Sequence, residues 1–194
     1  MRHIKYAFII PILLLIGCGP SKTVKPNAVG AVSVDPHVQV TTNPELLSGV
    51  GPLLTPHFES EKEKHRQYKR QLEEGKIDVG AIVRKEFLAA LSQHPAYGPK
   101  LKANGPYKFV VSVPYHALVQ QTTLSDKYAA NVVIDVVLLA PDGTVLFKST
   151  AQSCIFSKCV TPYTLPELKA NPSLLGEQYL EASKDAVSEI VSEL

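Results

Sequence analysis

A chain of 194 residues, 45% of them hydrophobic, is long enough to bury a real core within one domain. Its 20 basic and 18 acidic side chains nearly cancel, which argues against a nucleic-acid binder and against a polybasic module for membrane surfaces. It contains no Gly-x-Ser-x-Gly elbow, Walker loop or dinucleotide fingerprint.

The first predicted element is a targeting segment. Arg2, His3 and Lys5 make a basic start, and Tyr6 to Ile16 are apolar. A basic region, a short apolar run and a small-residue exit describe a secretory signal. As a helix the apolar run rises only about 16 Å, against a hydrocarbon core of about 30 Å, so it is too short to remain as a membrane span. Pro11 works against a long regular helix as well.

Leu15-Ile16-Gly17-Cys18 closes this segment and resembles the lipobox of bacterial lipoproteins. The resemblance implies cleavage after Gly17, diacylation of the Cys18 thiol and acylation of its new amine. An ordinary cleaved signal with Cys18 as a bystander is the alternative, but such signals favour an Ala-x-Ala exit. One acyl chain holds a protein only marginally, whereas two or more anchor it stably. Gly19 stands where Asp would imply retention at the inner membrane. The resemblance therefore implies an outer-membrane lipoprotein facing the periplasm, with the membrane as its first partner. The organisation expected is a signal over 1–17, a lipidated tether over 18–28 and a single α+β periplasmic domain over 29–194.

Beyond the polar, proline-bearing tether, Val32, Val34, Val38 and Val40 alternate with polar or small residues, and Asp35-Pro36 interrupts them. This predicts two short strands or one bulged edge strand. Pro44, Gly49, Gly51, Pro52 and Pro56 then punctuate a loop. Phe58 to Glu74 is densely charged, with Glu63 and Arg66, Lys69 and Glu73, and Arg70 and Glu74 at helical spacing. It reads as an exposed helix ended by Gly75, either a solvated face or a docking surface for a partner. Asp78 is placed to cap a second helix, with Ile77 and Ile82 as a hydrophobic staple. Val79, Ile82, Val83, Phe87, Ala90 and Leu91 recur on its inner face, and Pro95 and Gly98 end it.

Tyr107, Phe109, Val111 and Val113 alternate as a strand, and Pro114 marks a bulge or an edge. From Tyr128 to Ala140, residues Ala130, Val132, Ile134, Val136 and Leu138 form one face of another strand. Pro141-Asp142-Gly143 is a hairpin turn signal, and Thr144 to Ser153 completes the hairpin. Asp135 interrupts the apolar strand and either faces solvent or is a buried functional group. The chain has 3 cysteines, so acylation of Cys18 leaves Cys154 and Cys159 as a pair. Export makes a structural disulfide the natural reading. A redox site would want Cys-x-x-Cys spacing, and a zinc site would want further ligands nearby. A proline-spaced loop follows. A last helix opens at Asn171-Pro172-Ser173, with Tyr179, Ser183, Ala186, Val187, Ile190, Val191 and Leu194 on one face.

These elements predict an α+β fold: an antiparallel sheet, a three-strand meander plus an N-terminal edge strand, packed against two or three helices as a two-layer sandwich. The lipobox, Val32-Ser33-Val34-Asp35-Pro36, the segment Ile77 to Phe87, the Pro-Asp-Gly hairpin and the closing amphipathic helix resemble a group of uncharacterised proteobacterial lipoproteins. The helix–meander–helix core is similar to lipopolysaccharide-assembly and ABC-transport auxiliary lipoproteins and to the amino-terminal domain of TolB.

His37, His57, His65, His94 and His116 are scattered in unlike contexts, so no metal site is assigned from sequence. Catalytic residues and cofactors are likewise unassigned. Tyr107, Tyr115, Tyr128 and Tyr163 either line one groove or pack in and beside strands. The first expectation is a non-enzymatic accessory or assembly subunit of an envelope transport or secretion complex. A lipid- or glycan-binding module is the second, and a periplasmic enzyme the third.

Overall fold

The computed structural model describes residues 26–40, 44–47, 58–122, 125–154 and 159–194. Gly17 and Cys18, the expected signal and most of the tether lie outside the described residues, as does His57. In chain order the elements are β1 (Val32–Val34), β2 (Gln39–Val40), β3 (Glu45–Leu47), α1 (Phe58–Glu74), α2 (Val79–Gln93), β4 (Tyr107–Gln120), β5 (Lys127–Leu139), β6 (Val145–Gln152), β7 (Tyr163–Thr164), α3 (Leu165–Ala170) and α4 (Ser173–Ser192). Short 3-10 turns occupy Pro26–Ala28 and Gly98–Lys100.

The sheet is mixed, which corrects the expectation of an antiparallel one. β4 pairs antiparallel with β5, and β5 with β6. β1, β2 and β3 instead all run parallel to β4, as three successive pieces of one broken edge. The connection explains the direction: α1 and α2 lie between this edge and β4, and parallel neighbours need a long crossover rather than a hairpin. β7 adds two residues antiparallel to the start of β5. The break at Asp35-Pro36 falls between β1 and β2 as the sequence predicts. β1 comes so close to the segment before β4 that a Cβ at Gly105 would lie 2.3 Å from the Val32 carbonyl carbon. Ser33 Oγ donates to the Gly105 carbonyl across the same contact at 2.9 Å.

One face of the sheet carries the core. Val132, Ile134, Val136 and Leu138 of β5 are fully buried, as are Phe109, Val111 and Val113 of β4. β4 then changes parity. Its register against β5 slips by one residue between Ser112 and Tyr115, a bulge at Pro114. Beyond the bulge the inward residues are His116 and Leu118, opposite Val132 and Ala130. This slip is what brings a histidine inside.

α2 and α4 pack against each other and against this face. α2 begins where Asp78 accepts a hydrogen bond from the Ala81 amide at 2.9 Å. It buries Val79, Val83, Phe87 and Leu91, each contributing about 1.5–3 kcal/mol of hydrophobic stabilisation. Phe87 and Tyr97 both meet Phe109 edge-on, at ring separations of 5.5 Å. α4 buries Leu175, Gln178, Tyr179, Ala182, Ser183, Ala186, Val187 and Ile190.

α1 ends at Glu74, as the sequence predicts, but the left-handed residue of its cap lies one position past Gly75. Ile77 N–H donates to the Leu72 carbonyl and Lys76 N–H to the Glu73 carbonyl, a Schellman motif. Lys76, not Gly75, takes the left-handed conformation, at φ 50°. The expected loop after Ser153 contains β7 and α3, and α3 is held by a capping box between Thr164 and Glu167.

Candidate functional site

The first described residues sit against the domain. Lys100 Nζ donates to the carbonyls of Pro26 and Val29, each at 2.7 Å. The first described residue, Pro26, is thus pinned at the corner beside Lys100.

Cys154 and Cys159 are joined in a disulfide, with Cα atoms 6.4 Å apart. The strands and α4 hold the chain on both sides of it. On the β6 side, Asn131 Nδ2 donates to the Ser153 carbonyl at 2.8 Å and to Ser153 Oγ at 3.0 Å. The Cys154 amide donates to Asp185 Oδ2 of α4 at 2.9 Å. Past Cys159, Val160 is buried and the Thr161 amide donates to Glu181 Oε2 at 2.8 Å. Gln178 Nε2 donates to the Thr161 carbonyl at 2.7 Å. Gln178, Glu181 and Asp185 share one stripe of α4, by the three- and four-residue spacing of neighbouring turns. Helical spacing places Asp185 off the apolar face of α4 and gives Gln178 no signal of burial. Their partners lie 17 to 50 residues away, which periodicity within a helix cannot report.

A second polar cluster lies in the core. The Tyr68 hydroxyl of α1 is hydrogen-bonded to the Tyr179 hydroxyl of α4, and His116 Nδ1 lies 3.0 Å from that same Tyr179 hydroxyl. All three side chains are buried. Burial pushes the Tyr68 and Tyr179 hydroxyls well above the ordinary tyrosine range, and Tyr115 nearby adds to both. Desolvation pushes His116 below the ordinary histidine value. Tyr115 is raised by burial and then by Glu45. With hydroxyls held protonated and the imidazole held neutral, this cluster is a set of hydrogen-bonding dipoles. Periodicity marks Tyr68 and Tyr179 as inward, but only the bulge places His116 with them.

The other expected positions do not converge. His94 caps the end of α2, its Nδ1 accepting from the Ala96 and Tyr97 amides at 3.3 Å. His37 is exposed and His65 is half-buried. Asp135 is on the outer face of the sheet and accepts from Thr150 Oγ1 at 2.7 Å. Tyr107 and Tyr115 are on β4, Tyr128 begins β5 and Tyr163 pairs with it on β7.

Two surfaces remain. Between α2 and α4 an open groove of about 540 Å³ is bordered by Glu86, Ala90, His94, Lys184, Val187 and Val191. On the sheet face opposite these helices, Val110, Val133, Val137 and Leu139 are half-buried. Beside them Val145 is 51% exposed. No helix among the described residues is long and apolar enough to cross a membrane.

No protein-family model matches the chain, and no curated protein does. Six chains of solved structures match it, two of them as follows. One is a "putative lipoprotein" from Caulobacter crescentus, at 16% identity and a TM-score of 0.39, covering 59% of this chain and 79% of that one. The other is a DUF330 protein from Xanthomonas campestris, at 11% identity and a TM-score of 0.43, covering 89% of this chain and 87% of that one. At these scores neither alignment carries a functional conclusion for this chain.

Proposed function

We propose that the protein is a non-enzymatic lipoprotein, anchored through Cys18 to the outer membrane and facing the periplasm, that serves as an accessory or assembly subunit of an envelope transport or secretion complex. The observation that carries this reading is the outer face of the sheet. An antiparallel pair with one solvated face places polar residues outward. Here Val110, Val137 and Leu139 occupy outward positions beside the exposed Val145, and Val133 lies beyond Asp135. An apolar patch of this kind, rimmed by polar side chains such as Asp135 and Lys148, has the composition of an interaction surface. The lipid supplies the location and the sheet supplies the contact.

A photo-crosslinking residue placed at Val137 or Val145, in living cells and with an affinity tag after Leu194, tests this reading. The expected result is a discrete adduct with an envelope protein from either position, and none from the exposed Glu189 of α4. Failure of both positions to capture a protein would overturn the accessory-subunit reading.

The groove between α2 and α4 supports a second reading, a module that binds a lipid or glycan. Its border mixes aliphatic Ala90, Val187 and Val191 with His94, Lys184 and Glu86, the pairing of apolar wall and few polar groups that small-molecule sites use. Recovery of a lipid or glycan with protein purified from membranes would favour it.

A further inference from the structure

We infer that Cys154, Cys159 and Asp185 form a second, reduced state of the disulfide loop that binds a thiophilic divalent cation of the zinc class. The two sulfurs and a carboxylate oxygen of Asp185 all lie within 4.8 Å of one another. The two cysteines alone offer too few ligands for such an ion. α4 brings the third across a gap of 26 residues that no local motif spans.

The loop is held from both sides. Its two ends are fixed by hydrogen bonds that do not involve sulfur. Ser153 is tied to Asn131, the Cys154 amide to Asp185, and Thr161 to both Glu181 and Gln178. Breaking the sulfur–sulfur bond therefore leaves both thiols beside the Asp185 carboxylate. The Asp185 Oδ2 atom keeps its bond to the Cys154 amide, which aims the carboxylate at the loop and leaves Oδ1 as the available donor. Cys159 is exposed, so the ion has a way in and a water can complete four-coordination.

The chemistry balances in two steps. A dithiol donor passes two electrons and two protons to the pair by thiol–disulfide exchange. The sulfur–sulfur bond breaks, two thiols form, and the donor becomes a disulfide. The cation then displaces both thiol protons to solvent and binds two thiolates and the carboxylate. The loop thus has two mutually exclusive closures, one through sulfur–sulfur bonding and one through the metal. The bound cation protects the thiols from reoxidation.

The test uses the full processed chain, reduced with a phosphine, desalted without oxygen and titrated with Co²⁺ and then Zn²⁺. One Co²⁺ per chain should bind with a near-ultraviolet thiolate-to-cobalt charge-transfer band, and Zn²⁺ should abolish that band. The oxidised protein should show no band. Cys154→Ser should lose the band. Asp185→Asn, which keeps an oxygen for the Cys154 amide, should weaken binding at least about tenfold with an unchanged circular-dichroism spectrum. In the wild-type chain Zn²⁺ should slow disulfide re-formation. A reduced wild-type protein without the band would overturn the inference, as would an Asp185→Asn chain that binds as tightly as the wild type. Band retention in Cys154→Ser would overturn it too.

Discussion

Tyr179 joins three elements through one hydroxyl. It meets Tyr68 of α1 and His116 of β4, and all three groups are cut off from water. Removing that hydroxyl leaves two buried polar groups without this partner, whereas removing the Tyr68 hydroxyl leaves the Tyr179–His116 bond intact. Tyr179→Phe should therefore cost about 1–3 kcal/mol and Tyr68→Phe about half as much or less. Urea unfolding of the two variants should reproduce that order, and the reverse order would contradict it. The same site gives a pH dependence. Burial lowers the folded pKa of His116, so the unfolded chain takes up a proton more readily than the native one. The stability that His116 contributes is complete above its unfolded pKa of about 6.5, and is lost as the pH falls from there through the lower folded value. The urea midpoint should fall between pH 7.5 and 5, with a smaller fall in His116→Gln. Identical slopes would remove His116 as the cause. The tyrosines of this cluster were legible from their helical spacing, but the histidine was not. Its inward position depends on a one-residue slip in pairing, which only the partner strand reveals.

At the scale of elements, α1 ends at a lysine in a backbone conformation that disfavours side chains. The left-handed region brings Cβ close to the following carbonyl oxygen, and glycine escapes that clash. Lys76→Gly should raise stability by about 0.5–1 kcal/mol, read as a higher melting temperature. An unchanged or lower one would mean that the Lys76 side chain contributes more than the backbone loses. The long elements were legible because they repeat. β5 shows its alternation over five inward residues, and α2 and α4 show theirs over several turns. β7, of two residues, is too short to show any period, and β3 falls where Pro44 and Gly49 read as loop punctuation. The direction of β1 and β2 was not legible for another reason: a parallel and an antiparallel edge strand have the same valine alternation, and the choice lies in the crossover. α3 did carry a signal, Thr164 three residues before Glu167, but Pro166 between them reads as loop punctuation.

Across the whole molecule, the proposed function assigns different tasks to two regions. Pro26, the first described residue, is pinned by Lys100. The outer face of β4, β5 and β6 presents the apolar patch. About eight residues separate Cys18 from Pro26, a reach of roughly 25 Å if extended at about 3.1 Å per residue. A tether of that length lets the domain meet a partner beside the membrane while staying on it. Two or more acyl chains give an anchor durable enough for that role, and a single chain does not. The candidate site was legible only in part. The pairing of Cys154 with Cys159 follows from cysteine count and export. The carboxylate beside them and the stripe of α4 that straps the loop emerge only when distant segments are brought together.

All of this depends on the covalent state of one residue. The most direct measurement is mass spectrometry of the N-terminal peptide of protein purified from membranes. The expected chain begins at Cys18 and carries a diacylglyceryl thioether and an N-linked acyl group. A Cys18→Ser chain should be left unprocessed or released from the membrane fraction. A mature chain that begins elsewhere, or begins at an unmodified Cys18, would contradict the anchor and the function built on it.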